Sequence, residues 1–120
     1  MTATGRCLCG AVRFEVDGPL RDVVVCHCGE CRRWAGHVWA TSAARREDVR
    51  IVDDGALRWI ESPESVTQAR RGFCAECGSS LFWEAPGRDM ISFSAGALDP
   101  PTGLKTTREI YTEFAGDYYE

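Results

Sequence analysis

The sequence predicts a mostly β protein, a small single domain with antiparallel sheets and little helix, and three observations carry that prediction. Short segments alternate apolar and polar residues with the period of two that a half-buried strand requires, as where Val12, Phe14 and Val16 interleave with Arg13, Glu15 and Asp17. Turn-forming pairs such as Gly18-Pro19 and Asp54-Gly55 punctuate these segments at short intervals. No stretch sustains the apolar spacing of a long helix.

Taken in order, the first strand is expected from Arg6 to Asp17. Cys7 and Cys9, two apart on it, present both sulfurs to one side, and Gly10 relaxes the backbone beside them. The β-branched run Val23-Val24-Val25 starts a strand that delivers Cys26 and Cys28 to one face by the same rule, with Cys31 on a loop after a Gly29-Glu30 turn. A strand from His37 to Thr41 follows, then a loop or short helical turn at Arg45 to Asp48. Val49 to Val52 and Leu57 to Ile60 flank Asp53-Asp54-Gly55 in the manner of a hairpin. A strand from Val66 to Phe73 carries Arg70 and Arg71 into the knuckle Cys74-Ala75-Glu76-Cys77-Gly78, and Ser80 to Trp83 returns as its partner. Met90 to Ser94, a proline-set loop at Asp99 to Gly103 and a last strand from Arg108 to Phe114, with Ile110, Thr112 and Phe114 on one face, complete the chain. Neither a repeat nor an interdomain linker interrupts residues 1–120.

Composition narrows the function classes. A hydrophobic content of 44% and a charged content of 27% are ordinary for a soluble globular protein, and no apolar run approaches the roughly 20 residues of a membrane span. The N-terminal run has no apolar stretch of the secretory kind, so a reducing cytoplasmic location is expected. A net charge of -4 supplies no basic field for nucleic acid. Thirteen of the fourteen basic residues are arginine, whose planar fork suits carboxylates.

Seven cysteines in a reducing compartment, an odd number that full pairing would leave unbalanced, point to metal rather than disulfides. Zinc takes tetrahedral thiolate or imidazole ligands, with sulfur at about 2.3 Å; a structural site uses four protein ligands and a catalytic site three, leaving one direction open. The run Cys26-His27-Cys28-Gly29-Glu30-Cys31 offers three sulfurs and reads as the reactive kind. Cys7, Cys9, Cys74 and Cys77 remain to close a tetrahedron that would tie the N-terminal strand to a distant hairpin. Spacing alone leaves another partition open, in which Cys74 and Cys77 join two of the trio and Cys7 and Cys9 are spare.

His27, between two ligand candidates, would point away from the metal they share and reads as a packed or solvent-facing ring. His37 is either a proton donor near the site or the start of a strand, and Trp34, Trp39, Trp59 and Trp83 read as packing. Three thiolates around a divalent ion carry a net charge of about -1, which Arg32 and Arg33 would offset while attracting an anionic substrate. A solvated arginine pair is the plainer reading of the same two residues.

In their order and separations, Cys7-x-Cys9-Gly10, Cys26-His27-Cys28-x-x-Cys31-Arg32 and Cys74-x-x-Cys77-Gly78 resemble the glutathione-dependent formaldehyde-activating enzyme family, also called the centromere protein V/GFA domain. The resemblance spans nearly the whole chain. It implies a tent-like β fold with two zinc ions per chain, a structural one on Cys7, Cys9, Cys74 and Cys77 and a catalytic one on Cys26, Cys28 and Cys31. It further implies carbon-sulfur lyase chemistry in which glutathione or a similar thiol and a small aldehyde such as formaldehyde give an S-hydroxymethyl adduct. Two departures stand out: Glu109 lies near a position where members of the family often carry histidine, and the chain ends soon after Gly116-Asp117-Tyr118-Tyr119, so a loop that helps hold a peptide thiol would be short or absent. The expected partners are therefore the thiol and the aldehyde, with neither nucleic acid nor membrane, and a homodimer is compatible. The competing expectation is a non-catalytic zinc module that recognises another protein.

Overall fold

A computed structural model of the chain describes residues 2–63 and 65–120. β1 (Thr2–Arg6) turns sharply through Cys7 to Ala11 and returns as β2 (Val12–Asp17), which pairs with β1 on one side and with β5 (Val49–Asp53) on the other, all antiparallel. A second, seven-stranded sheet is built from β3 (Val23–Cys26), β4 (Trp39–Arg45), β6 (Leu57–Glu61), β7 (Arg70–Cys74), β8 (Ser80–Glu84), β9 (Met90–Ser94) and β10 (Thr106–Ile110), in the order β10-β3-β4-β9-β8-β7-β6. Its pairings are antiparallel except at one edge, where β10 runs parallel to β3.

The alternation in β2 explains how the sheets meet. Val12, Phe14 and Val16 are buried while Glu15 and Asp17 face outward. The Phe14 ring packs edge-on against Phe82 at 5.3 Å and against Phe93 at 5.1 Å, so aromatic rings from the two sheets share one apolar core with Leu81 and Ile91. Fully burying each such ring contributes about 1.5–3 kcal/mol. Among the described residues no helix is long and apolar enough to cross a membrane.

Four expectations change. The stretch from Arg6 to Asp17 is a hairpin rather than one strand, with Cys7 and Cys9 in its turn and Gly10 at φ 85°. Val49 to Ile60 is not a hairpin: β5 joins the small sheet and β6 the large one. The side chain of Asp53 makes that divergence, because its Oδ1 accepts the backbone N–H groups of Gly55, Ala56 and Leu57 at 2.9, 2.8 and 2.9 Å and bends the chain out of the first sheet. β7 begins only at Arg70, since Gln68 is left-handed at φ 59° and Val66 is fully solvated. The last strand stops at Ile110, where Tyr111 at φ 57° breaks the ladder and Thr112–Phe114 forms one 3-10 turn.

The expected loop after Cys28 is also a helix, α1 (Gly29–Ala35). Cys28 is its N-cap, with Sγ accepting the N–H of Cys31 at 3.4 Å. Gly36, left-handed at φ 85°, closes the other end by donating its N–H to Arg32 O at 2.8 Å.

Gly5 sits opposite Phe14 with no room for a side chain, because a Cβ there would strike the Phe14 ring and come within 2.9 Å of Ala97 O. Gly5→Ala is expected to destabilise the protein by about 1–3 kcal/mol in denaturant unfolding. The three N–H bonds, that of Leu57 foremost, hold the Asp53 carboxyl below the usual carboxylate range. A group depressed in the folded state stabilises it above its unfolded pKa, and this contribution fades as pH falls through the folded value. The melting-temperature advantage of the wild type over Asp53→Ala is accordingly expected in full at pH 7 and diminished below about pH 4 in paired thermal melts.

Candidate metal centres

Two tight turns bring the first cysteine group together. The β1–β2 turn supplies Cys7 and Cys9, the β7–β8 turn supplies Cys74 and Cys77, and the four sulfurs lie within 4.8 Å of one another. Cys9 Sγ is 3.7 Å from both Cys7 Sγ and Cys74 Sγ. Neutral donors surround the group: Val12 N–H reaches Cys7 Sγ at 3.4 Å, and the Ser79 hydroxyl lies 3.1 Å from Cys77 Sγ while accepting the N–H of Leu8. The proton balance among these thiols is uneven. The Ser79 hydroxyl holds Cys77 down to about 5. At Cys9 the Ala11 N–H acts downward but is outweighed by lost hydration and the neighbouring sulfurs, which push the thiol up to about 12. Crowded thiols of this kind cannot all ionise unaided, and a divalent cation removes the conflict.

The second group is the trio. Cys26 ends β3, Cys28 caps α1 and Cys31 lies in its first turn, with all three sulfurs within 4.8 Å. The capping of α1 is therefore the local event that turns Cys31 back onto Cys26. The hydrogen bond with Cys31 lowers the Cys26 thiol, and the same contact together with burial raises Cys31. Trp34, Trp39 and Trp83 pack around the pair, with the Trp34 and Trp39 rings edge-on at 5.0 Å.

Thus the seven predicted cysteines form the two expected groups, and the partition that left Cys7 and Cys9 spare is not the one the fold makes. Both groups can hold a metal ion.

The charged and polar residues fall differently. Arg32 Nε donates to the backbone oxygens of His27 and Phe114 at 3.3 and 3.2 Å, so this side chain pins the C-terminal segment, while Arg33 is exposed. His27 is buried, and its ring faces Glu109 Oε1 at 2.7 Å through Nε2 and the Tyr119 hydroxyl at 2.8 Å through Nδ1. His37 precedes β4 and meets the Tyr118 hydroxyl at 2.8 Å. The guanidinium that does touch the trio belongs to Arg71. It is 4% exposed, with Nη1 and Nη2 at 3.7 and 3.8 Å from Cys31 Sγ. The sequence carried a signal for it: two consecutive arginines on a strand must face opposite ways, so one of Arg70 and Arg71 points inward.

Residues 2–114 match the glutathione-dependent formaldehyde-activating enzyme family. The chain belongs to this family. A protein of Halomonas elongata that carries the provisional name of glutathione-dependent formaldehyde-activating enzyme is 29% identical over 105 residues, which cover 82% of this chain and 67% of that protein. The crystal structure of a Rhodobacter sphaeroides protein superimposes with a TM-score of 0.66 at 29% identity, covering 88% of this chain and 98% of the other.

Cys74 is fully buried where the two sheets are joined, whereas Cys28 is half-buried at a helix cap that serine also fills well. Cys74→Ser is expected to cost more than about 3 kcal/mol of stability, because metal binding at such a site is folding energy. Cys28→Ser is expected to cost less than about 1.5 kcal/mol in the same chemical denaturation series, while lowering metal retention by the trio.

Proposed function

We propose that this protein is a zinc-dependent enzyme of the carbon-sulfur lyase kind, which joins a small thiol, glutathione or a relative of it, to a small aldehyde such as formaldehyde. The observation that carries this reading is the contrast between the two cysteine groups: four sulfurs that could together hold one ion, and a group of three that would leave one of its four positions to a substrate. Zinc fits both donor sets. Sulfurs about 2.3 Å from a tetrahedral centre lie about 3.8 Å apart, and two sulfur pairs of the first group stand at 3.7 Å. In this assignment Cys7, Cys9, Cys74 and Cys77 hold the structural ion, and Cys26, Cys28 and Cys31 the catalytic one.

Bound to the trio, zinc supplies the positive charge that lowers the pKa of an incoming thiol. The chain's own residues do the rest. Cys26, Cys28 and Cys31 act as ligands, so the attacking sulfur belongs to the cosubstrate. Trp34, Trp39 and Trp83 exclude water from the sulfur cluster. Exposed Arg33, one turn along α1, would meet a carboxylate of the thiol; Arg32, held by two carbonyl groups, keeps the C-terminal segment against the helix. In the reaction the thiol S–H breaks and a carbon–sulfur bond forms at the aldehyde carbon. The carbonyl π pair moves to oxygen, which takes up the proton to give the S-hydroxymethyl product. Holding the partners in contact supplies most of the acceleration.

NMR exchange spectroscopy of glutathione and formaldehyde tests this reading. The zinc-loaded protein is expected to raise the exchange rate at least about tenfold, a small part of what orientation can contribute, and Cys28→Ser to abolish the increase while staying folded. Unchanged exchange with glutathione and with other small thiols would leave a zinc module without this activity.

A further inference from the structure

We infer that Arg71 is a positioning residue of the three-cysteine centre, its guanidinium fork acting through the Cys31 sulfur to hold that ligand in place and to moderate how much charge it donates. The inference rests on the thiol-handling reading above. Its basis is geometric. β7 presents Arg70 outward, where it lies over the Trp59 ring at 3.9 Å and pairs with Glu84 at 2.6 Å. Arg71, the next residue, goes inward and is 4% exposed. Its Nε is anchored on the Ser62 hydroxyl at 3.0 Å, and Nη2 stands 3.6 Å from Glu30 Oε1. Ser62 in turn donates to Glu30. This anchoring aims both terminal nitrogens at one atom, Cys31 Sγ.

A buried guanidinium is costly unless opposite charge surrounds it. Glu30 supplies one carboxylate at 3.6 Å, and the sulfur supplies the other side of the fork. The Trp34 and Trp39 rings, 5.2 and 5.8 Å from the guanidinium carbon, dry the contact and strengthen it. N–H donors draw electron density from a thiolate, so a cation held by the trio would receive less charge from Cys31 and accept more from a fourth ligand. The four-cysteine group meets the neutral donors Val12 N–H and Ser79 hydroxyl instead, as befits a closed site. Neither Arg32 nor Arg33 is required for this effect.

Cobalt(II) titration of the full chain, with chelator competition for affinity, tests the inference. Arg71→Met is expected to weaken cobalt binding at the trio by about 10–100-fold and to move its sulfur-to-cobalt charge-transfer band to lower energy. The bands of the four-cysteine group should stay in place as an internal check of folding. Glu30→Gln keeps a hydrogen-bonding group for Ser62 but frees the guanidinium charge to act on Cys31, so its band is expected to move to higher energy without loss of affinity. A guanidinium that served only to tether α1 to β7 would make both substitutions weaken binding and shift the band alike, and that result, or an unchanged Arg71→Met, overturns the inference. Should Arg71→Met fail to fold, Arg71→Lys, with the charge retained and the fork lost, is expected to give a smaller shift to lower energy; no shift overturns the inference equally. Variants that show these band shifts, beside a wild type without thiol–aldehyde exchange, would remove the enzymatic reading and leave the role of Arg71 standing.

Discussion

The structure depends on the meeting of four sulfurs from two turns that belong to different sheets. Cys7 and Cys9 come from the β1–β2 turn of the small sheet, Cys74 and Cys77 from the β7–β8 turn of the large one, and Cys9 Sγ stands 3.7 Å from Cys74 Sγ although 65 residues separate them. Phe14, Phe82 and Phe93 fill the space between the sheets. An apolar core of this size tolerates exchange of one aliphatic or aromatic side chain for another of similar volume. Four convergent thiols do not tolerate such exchange, because without a cation their charges and protons compete.

From that clamp the second centre inherits its setting. β7 carries Cys74 at its end and Arg71 three residues earlier, so the strand that helps close the four-cysteine group also delivers the guanidinium to the trio. The trio itself is local, being the end of β3, one residue and the first turn of a capped helix. Local geometry can gather the sulfurs, but it cannot supply a buried counter-charge; that comes from across the sheet. The C-terminal segment closes the far side of α1, with Tyr119 and Glu109 at the two nitrogens of the His27 ring and Phe114 held by Arg32. Glu109 thus lies against the one histidine that the trio encloses in sequence. Beyond Gly116, Tyr118 and Tyr119 pack against His27 and His37.

What was legible before the fold was known follows the range of each interaction. Period-two burial in β2, the knuckle hairpin of β7 and β8, the two cysteine groups and the inward or sideways packing of the tryptophans all depend on residues within a few positions of each other, or on a donor set that could hold a metal. Less legible were the elements for which local signals allow two outcomes. Asp53-Asp54-Gly55 reads as a hairpin turn, yet the Asp53 carboxylate caps three successive N–H groups and sends β5 and β6 to different sheets. The segment after Cys28 is too short to show helical periodicity, so it reads as a loop, and only the Cys28 and Gly36 caps set α1.

By itself the sequence determined the class of fold, the clustering of the cysteines and the family, because alternation, turn residues and cysteine spacing are read directly along the chain. Tertiary structure alone decided which strands pair, that β10 lies parallel to β3, and that Arg71 rather than Arg32 or Arg33 reaches Cys31. The reason is physical: a guanidinium finds its sulfur across 40 residues of chain only after two sheets, a helix cap and a buried serine have set the direction of the side chain.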